Sequence, residues 1–182
     1  MLLGTHGTCQ SRAQSIVTNM NFNAPSRSGS YAGPGAYFWQ YEGSVDLAKE
    51  LAELWWEWCS RKNHYSNDSD KTLAVIGVEL HNPSDDEFID TYSDQFSSRL
   101  RELVKEFEGK VEFNVHEVIA MAIDDLAVER GTRILLVKTW VKTPPALGGR
   151  PVSVVLKAYT GWPCFVVRDG GERLISSITT IQ

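Results

Sequence analysis

The run Leu73-Ala-Val-Ile-Gly-Val-Glu-Leu80 constrains the fold more than any other segment. It is almost uninterrupted in its apolar character and follows the polar, turn-rich stretch from Asn63 to Asp70. Such a run reads as a strand covered on both faces and central in a sheet. The rest of the chain must therefore supply neighbouring strands and helices to cover it.

Those elements are visible in the residue pattern. Met1 to Leu3 leads into Gly4-Thr5-His6-Gly7-Thr8, a buried strand ending in a corner at His6. Ser11 precedes Ala13, Ile16, Val17 and Met20 at helical spacing, with Asn19 and Asn21 suited to a left-handed exit. Pro25 to Gly35 has the Ser, Gly and Pro content of a loop, and Ala36-Tyr37-Phe38-Trp39-Gln40 rises from it as an aromatic strand. Ser44 then heads a helix through Leu47, Leu51, Leu54, Trp55 and Trp58, which is expected to bury its tryptophan face. Asp94 opens a helix through Phe96, Leu100, Leu103, Val104 and Phe107, with Gly109 placed to end it, and another runs from Glu117 to Arg130 and stops at Gly131. Beyond that the pattern turns to strands at Ile134–Val141, Val152–Ala158, Cys164–Asp169 and Leu174–Ile178. Strands and helices do not alternate regularly, so the expectation is an α+β fold with mixed or antiparallel pairing, as one domain over residues 1–182.

Composition narrows the function classes. Eighteen basic residues against 23 acidic ones give a net charge of −5, so no overall positive field gathers polyanions. No apolar stretch is long enough for a membrane span, and Met1 to Gly7 is too short for a signal peptide, so the expected setting is cytoplasmic. Cys9, Cys59 and Cys164 are too scattered for a disulfide framework and read as free thiols. His6 and Cys9 have no second His/Cys pair to complete a zinc site, so no metal is expected. Trp55, Trp56 and Trp58 read as packing residues, and Asp85, Asp86, Glu87 and Asp90 as a solvated turn without the glycine or spacing of a calcium loop.

One ordered combination points further. His6-Gly7-Thr8, a short helix carrying Ala13 and Ile16, Phe22, a Gly/Ser loop and Gly33-Pro34-Gly35-Ala36-Tyr37-Phe38 follow one another within the first forty residues. Together they resemble the first half of the ADP-ribosyltransferase superfamily, in particular its diphtheria-toxin-like and PARP-like branch, known by a His-Tyr-Glu triad. The resemblance implies split mixed or antiparallel sheets with flanking helices, and NAD as substrate. It also implies that His6 hydrogen-bonds a ribose hydroxyl, that the main chain of Gly7 pairs with the nicotinamide carboxamide, and that Tyr37 stacks on the ring. Thr8 and Phe38 would complete that clamp, Ser44 would lie near the carboxamide, and Trp39 or Tyr41 would supply the second stacking aromatic. Glycine lets a backbone come close, and a flat aromatic face suits a flat cationic ring.

The third motif of that family is Glu-aromatic-Val-Val-x-Asp, and the match here is Cys164-Phe165-Val166-Val167-Arg168-Asp169. Cysteine stands where the resemblance calls for glutamate. That carboxylate stabilises positive charge on the sugar, and losing one such partner costs about 3 kcal/mol. Glu117, Asp169, Glu172 and Glu79 are the alternative acids. The implied activity is mono-ADP-ribosyl transfer to a macromolecular acceptor, protein or nucleic acid, by an intracellular toxin or effector with a neutralising partner protein. The segment Ser93 to Gly131 is expected to help bind the acceptor or that partner. The competing expectations are an inactive NAD-, ADP-ribose- or partner-binding module and an NAD glycohydrolase.

Overall fold

The computed structural model describes residues 1–22, 31–107, 114–145, 152–153, 155–156 and 160–181. In chain order the elements are β1 (Leu2–Cys9), α1 (Gln10–Asn19), β2 (Ala36–Gln40), α2 (Asp46–Arg61), β3 (Leu73–Leu80), β4 (Phe88–Asp90), α3 (Asp94–Phe107), α4 (Val115–Arg130), β5 (Leu136–Lys142), β6 (Gly161–Val167) and β7 (Ile175–Ile181). Short 3₁₀ turns at Asp85–Glu87 and Gly171–Leu174 precede β4 and β7. All seven strands join one sheet in the order β4-β5-β6-β2-β1-β3-β7. Only the β4–β5 pair is parallel, so the fold is α+β with a mixed sheet.

The sheet is weakest where β2 meets β1. That ladder holds two residue pairs, Gly4 with Gln40 and Thr5 with Trp39, whereas β1 pairs with β3 at eight positions. Past Thr5 and Trp39 the two strands part, leaving β4-β5-β6-β2 and β1-β3-β7 as two halves joined by a short seam.

Successive strand residues point to opposite faces, and the core divides accordingly. On one face Phe38, Ile76, Val78, Leu80, Phe165 and Ile178 pack with Ala13 and Ile16 of α1. The other face is covered twice. Trp39, Val75, Val141 and Cys164 lie against Ala48, Leu51, Ala52 and Leu54 of α2. Val137 and Val166 lie with Phe96 and Leu103 of α3 and Val118, Ala122, Ile123 and Leu126 of α4.

The corner expected at His6 is not formed, because β1 runs on to Cys9 and His6 pairs with Ile76 in mid-strand. Four further sequence expectations change. First, β3 is internal, but it sits next to the edge strand rather than at the centre. Second, α2 buries Ala48, Leu51, Ala52 and Leu54 beneath it instead of its tryptophans. A Cβ on Gly7 would lie 1.8 Å from the carbonyl oxygen of Ala52, so the helix rides directly on β1 and leaves room beneath it only for alanine and leucine. Trp55, Trp56 and Trp58 are pushed to its flank, half-buried over Cys9, Cys59 and Tyr65, with Trp55 and Trp58 stacked at 5.2 Å. Third, the strand expected at Val152–Ala158 is not formed: Val155 and Leu156 are helical, while 154, 157 and 158 lie outside the described residues. Gly109, the expected stop for α3, lies outside them as well. Fourth, α4 begins two residues earlier than expected, with the side chain of Asn114 accepting from the backbone N–H of His116. It ends as expected, with Gly131 in the left-handed conformation at φ 63°.

Among the described residues no helix is long and apolar enough to cross a membrane.

Candidate functional site at the seam between β1 and β2

The phase of the ladder decides what the seam exposes. The Tyr41 N–H donates to the Leu3 carbonyl at 3.2 Å, which turns the backbone groups of the odd-numbered residues of β1 toward β2. In antiparallel pairing the direction alternates, so those of Gly4, His6 and Thr8 turn toward β3 and those of Leu3, Thr5 and Gly7 toward β2. Gly7 would be the next residue to exchange hydrogen bonds with Tyr37, but no ladder pair joins them among the described residues. The N–H and C=O of Gly7 therefore face the gap. The Tyr37 carbonyl instead accepts from Nδ1 of His6, at 2.9 Å.

This bond defines the state of the imidazole. A carbonyl can only accept, so Nδ1 carries the hydrogen and the neutral ring presents Nε2 as an acceptor. Burial holds the ring below its ordinary pKa, outweighing the opposing bond to Tyr37, and the charge on Arg12 lowers it further. Phe22 meets the ring edge-on at 5.5 Å, and Phe38 lies at 5.9 Å. Phe22 and Phe38 pack on each other at 4.7 Å, so the imidazole rests on a two-ring aromatic shelf.

Tyr37 behaves differently from the expected clamp. As the neighbour of Phe38 in β2, it leaves the strand on the face opposite to His6 and packs between the α2 cluster and the α3–α4 cluster. Its hydroxyl donates to the Gly33 carbonyl at 2.8 Å and accepts from the Ala32 N–H at 3.0 Å. Imidazole and phenol thus do not face each other across a common space. They are linked through the Tyr37 main chain.

Several other expected contacts are used inside the protein. Phe38 is fully buried and supports His6. Thr8 is buried and hydrogen-bonded to Tyr65. The close approach of α2, rather than any ligand, already requires glycine at position 7. Ser44 is exposed, accepting from the Asp46 N–H at 3.2 Å and donating to the Asp46 carboxylate at 2.7 Å. Trp39 is buried against α2, and Tyr41 is half-buried beside Glu79, with burial first and that carboxylate second raising its pKa.

The third-motif position is a core position. Cys164 is 1% exposed, and burial pushes its thiol far above the ordinary range. It pairs across the ladder with Trp39, facing the helix side of the sheet. A neutral thiol in that setting supplies no charge and is a poor nucleophile.

The alternative acids are dispersed. Glu79 sits on β3 opposite Leu3, three positions along the strand from His6 and its partner Ile76. Asp169 is almost fully exposed, 3.7 Å from Arg133. Asp169 and Glu172 line an open cleft of about 640 Å³ with Phe22, Ala36, Arg133 and Arg168. The cleft's lining includes neither His6 nor Tyr37, although Phe22 connects it to the imidazole shelf. Glu117 is exposed in the first turn of α4. Its neighbour His116 packs on Tyr31 at 4.3 Å, and Tyr31 leads into the Ala32-Gly33 turn held by the Tyr37 hydroxyl. Among the described residues, no hydrogen bond or ion pair joins any of these four acids to His6.

Sequence reasoning did not anticipate two polar anchors. Arg168 donates to Asp124 of α4 at 2.8 Å, and Arg12 donates to Asp68 at 2.8 Å while lying 4.9 Å above the Tyr65 ring. Both pairs span forty or more positions, so no local spacing reveals them.

Comparison with known proteins finds no matching family model, no matching curated protein and no matching solved structure.

Proposed function

We propose that this chain is a mono-ADP-ribosyltransferase that takes NAD as its substrate and passes ADP-ribose to a macromolecular acceptor, protein or nucleic acid. The observation that carries this reading is the bond from His6 Nδ1 to the Tyr37 carbonyl across the opened seam. It fixes the tautomer that leaves Nε2 to accept from a sugar hydroxyl. It also stands beside Gly7, whose main-chain donor and acceptor face the gap with the complementarity a carboxamide requires. NAD would supply the activated sugar, with nicotinamide as the leaving group. Tyr37 acts here as a positioning residue: its carbonyl orients the imidazole, and its hydroxyl holds the Ala32-Gly33 turn. For the carboxylate that the chemistry needs we assign Glu117, on the α4 corner that packs against Tyr31 on the Tyr37 side of the sheet, so that it would act across the seam from His6. A cytoplasmic toxin or effector restrained by a neutralising partner protein fits this reading.

A second reading has its own observation. Cys164, buried and protonated, stands where the resemblance calls for the catalytic acid, which favours a module that binds NAD or ADP-ribose without chemistry.

The test is transfer of label from NAD to macromolecules in a cell lysate, run beside calorimetry with NAD and a measurement of free ADP-ribose. Transfer is expected for the native chain. His6→Ala should abolish binding and transfer, and Glu117→Gln should retain binding while slowing transfer about a hundredfold. Binding without turnover selects the module, and free ADP-ribose without labelled acceptor indicates a glycohydrolase. Absence of NAD binding by the folded native chain rejects both leading readings.

A further inference from the structure

Helix α2 lies along β1 in a fixed phase. The Thr5 hydroxyl donates to the Ala48 carbonyl at 2.7 Å, and a Cβ on Gly7 would lie 1.8 Å from the Ala52 carbonyl oxygen. Side chains alternate along a strand, so Cys9 points to the same side of β1 as Thr5 and Gly7. On the helix, Cys59 follows Ala48 and Ala52 on one stripe, at spacings of four and then seven residues. The contacts advance in the same direction on both elements, and the pair that continues the series is Cys9 with Cys59. The two thiols pack in one buried cluster with Tyr65.

Tyr65 shows independently how near they are. Its hydroxyl is hydrogen-bonded to Thr8, the neighbour of Cys9, and to the Cys59 thiol, and it also interacts electrostatically with Cys9. The unusually close seating of α2 on β1 shortens the span between the two backbones, and a short Cα separation is what a disulfide demands. Access differs between the two sulfurs. Cys9 is closed to solvent, whereas Cys59 is 4% exposed and lies two residues before the end of α2 at Arg61. Helix ends fray, so Cys59 opens first. The third thiol, Cys164, packs in a separate cluster with Ala48 and Leu51.

We infer that Cys9 and Cys59 form a peroxide-responsive thiol pair that closes to a disulfide, tying the end of β1 to the end of α2. The Cys59 sulfur, giving up its proton, attacks one oxygen of hydrogen peroxide; the O–O bond breaks, Cys59 becomes a sulfenic acid and water leaves. The Cys9 sulfur, giving up its proton in turn, attacks the Cys59 sulfur; the S–O bond breaks and a second water leaves. Two thiols are oxidised to one disulfide, and one hydrogen peroxide is reduced to two waters. All three thiols are reduced in this structure, which is the resting form, and a reductant restores it. The inference is independent of the NAD reading.

The experiment is titration of the full, reduced chain with hydrogen peroxide, followed by alkylation of the remaining thiols, intact mass and non-reducing peptide mapping. Circular dichroism before and after oxidation establishes that the chain stays folded throughout. The native chain should lose two hydrogens, its alkylatable thiols should fall from three to one, and one linked peptide pair should join Cys9 to Cys59. Dithiothreitol should restore all three thiols. Cys9→Ala or Cys59→Ala should abolish the link, and Cys164→Ala should leave it intact. The linked chain should melt at a higher temperature than the reduced one, because the tie restricts the unfolded chain. Thiols that stay unreacted, oxidation that stops at sulfenic or sulfinic acid, or a link that uses Cys164 or a second molecule overturns the inference. So does a link between Cys9 and Cys59 that forms only after the chain is unfolded in urea.

Discussion

Gly7 and His6 show how neighbouring residues come under different physical demands. Glycine at position 7 is required by α2, whose Ala52 carbonyl lies where a Cβ would go. The obstacle is backbone, which cannot swing aside like a flexible side chain. Gly7→Ala should therefore cost about 3 kcal/mol of stability, read as a lowered urea midpoint, because overpacking against a fixed wall strains both elements. His6 is governed by electrostatics. Its folded pKa lies below the ordinary value of 6.5, so the unfolded chain binds the proton more readily. The resulting stability is fully present above that value and is lost as the pH falls through the lowered folded value. Melting temperature should fall as the pH drops from 7 to 5, and His6→Gln should flatten that segment of the profile. Asp68, held low first by its bond to Arg12, acts in the same direction but below the ordinary carboxylate range, so the two contributions separate on the pH axis.

At the scale of elements, β1 has two unlike edges. Toward β3 it pairs along its whole length, and toward β2 it pairs at two positions. Amide exchange should record the difference within a single strand: His6 and Thr8, bonded to β3, are protected, and Gly7, facing the seam, exchanges faster. Addition of NAD should slow the Gly7 amide selectively, and equal rates for all three with and without NAD would count against the carboxamide role. Helix boundaries were more legible than strand pairing. The helix at Asp94 appears where its acidic first turn and apolar period put it, and α4 stops at Gly131, because caps and periodicity are properties of adjacent residues. The short β4 carried no such signal, since three residues show little alternation, and its strand character depends on pairing with β5.

Across the whole molecule the sheet order interleaves distant segments. β2 lies between β1 and β6, so residues near positions 5, 38 and 165 become neighbours. That arrangement brings the third-motif segment beside Tyr37 while burying Cys164 under α2. The same arrangement leaves two outer strands with opposite character, a short acidic one and a long neutral one.

The amino-acid order alone was enough to determine the α+β class and the span of β3, because apolar period, caps and turn residues act over a few positions, whereas the pairing of the His-Gly and Tyr-Phe segments was implied only by the family resemblance. It was not enough to tell which side chain of that pair faces which way. Strand side chains alternate, so a shift of one position reverses the face, and only the register of β1 against β2 shows that Phe38, not Tyr37, shares a side with His6. Which tryptophans stay at the surface, and which acids stand apart from His6, depended in the same way on how closely α2 settles onto the sheet and where the ladder between β1 and β2 ends.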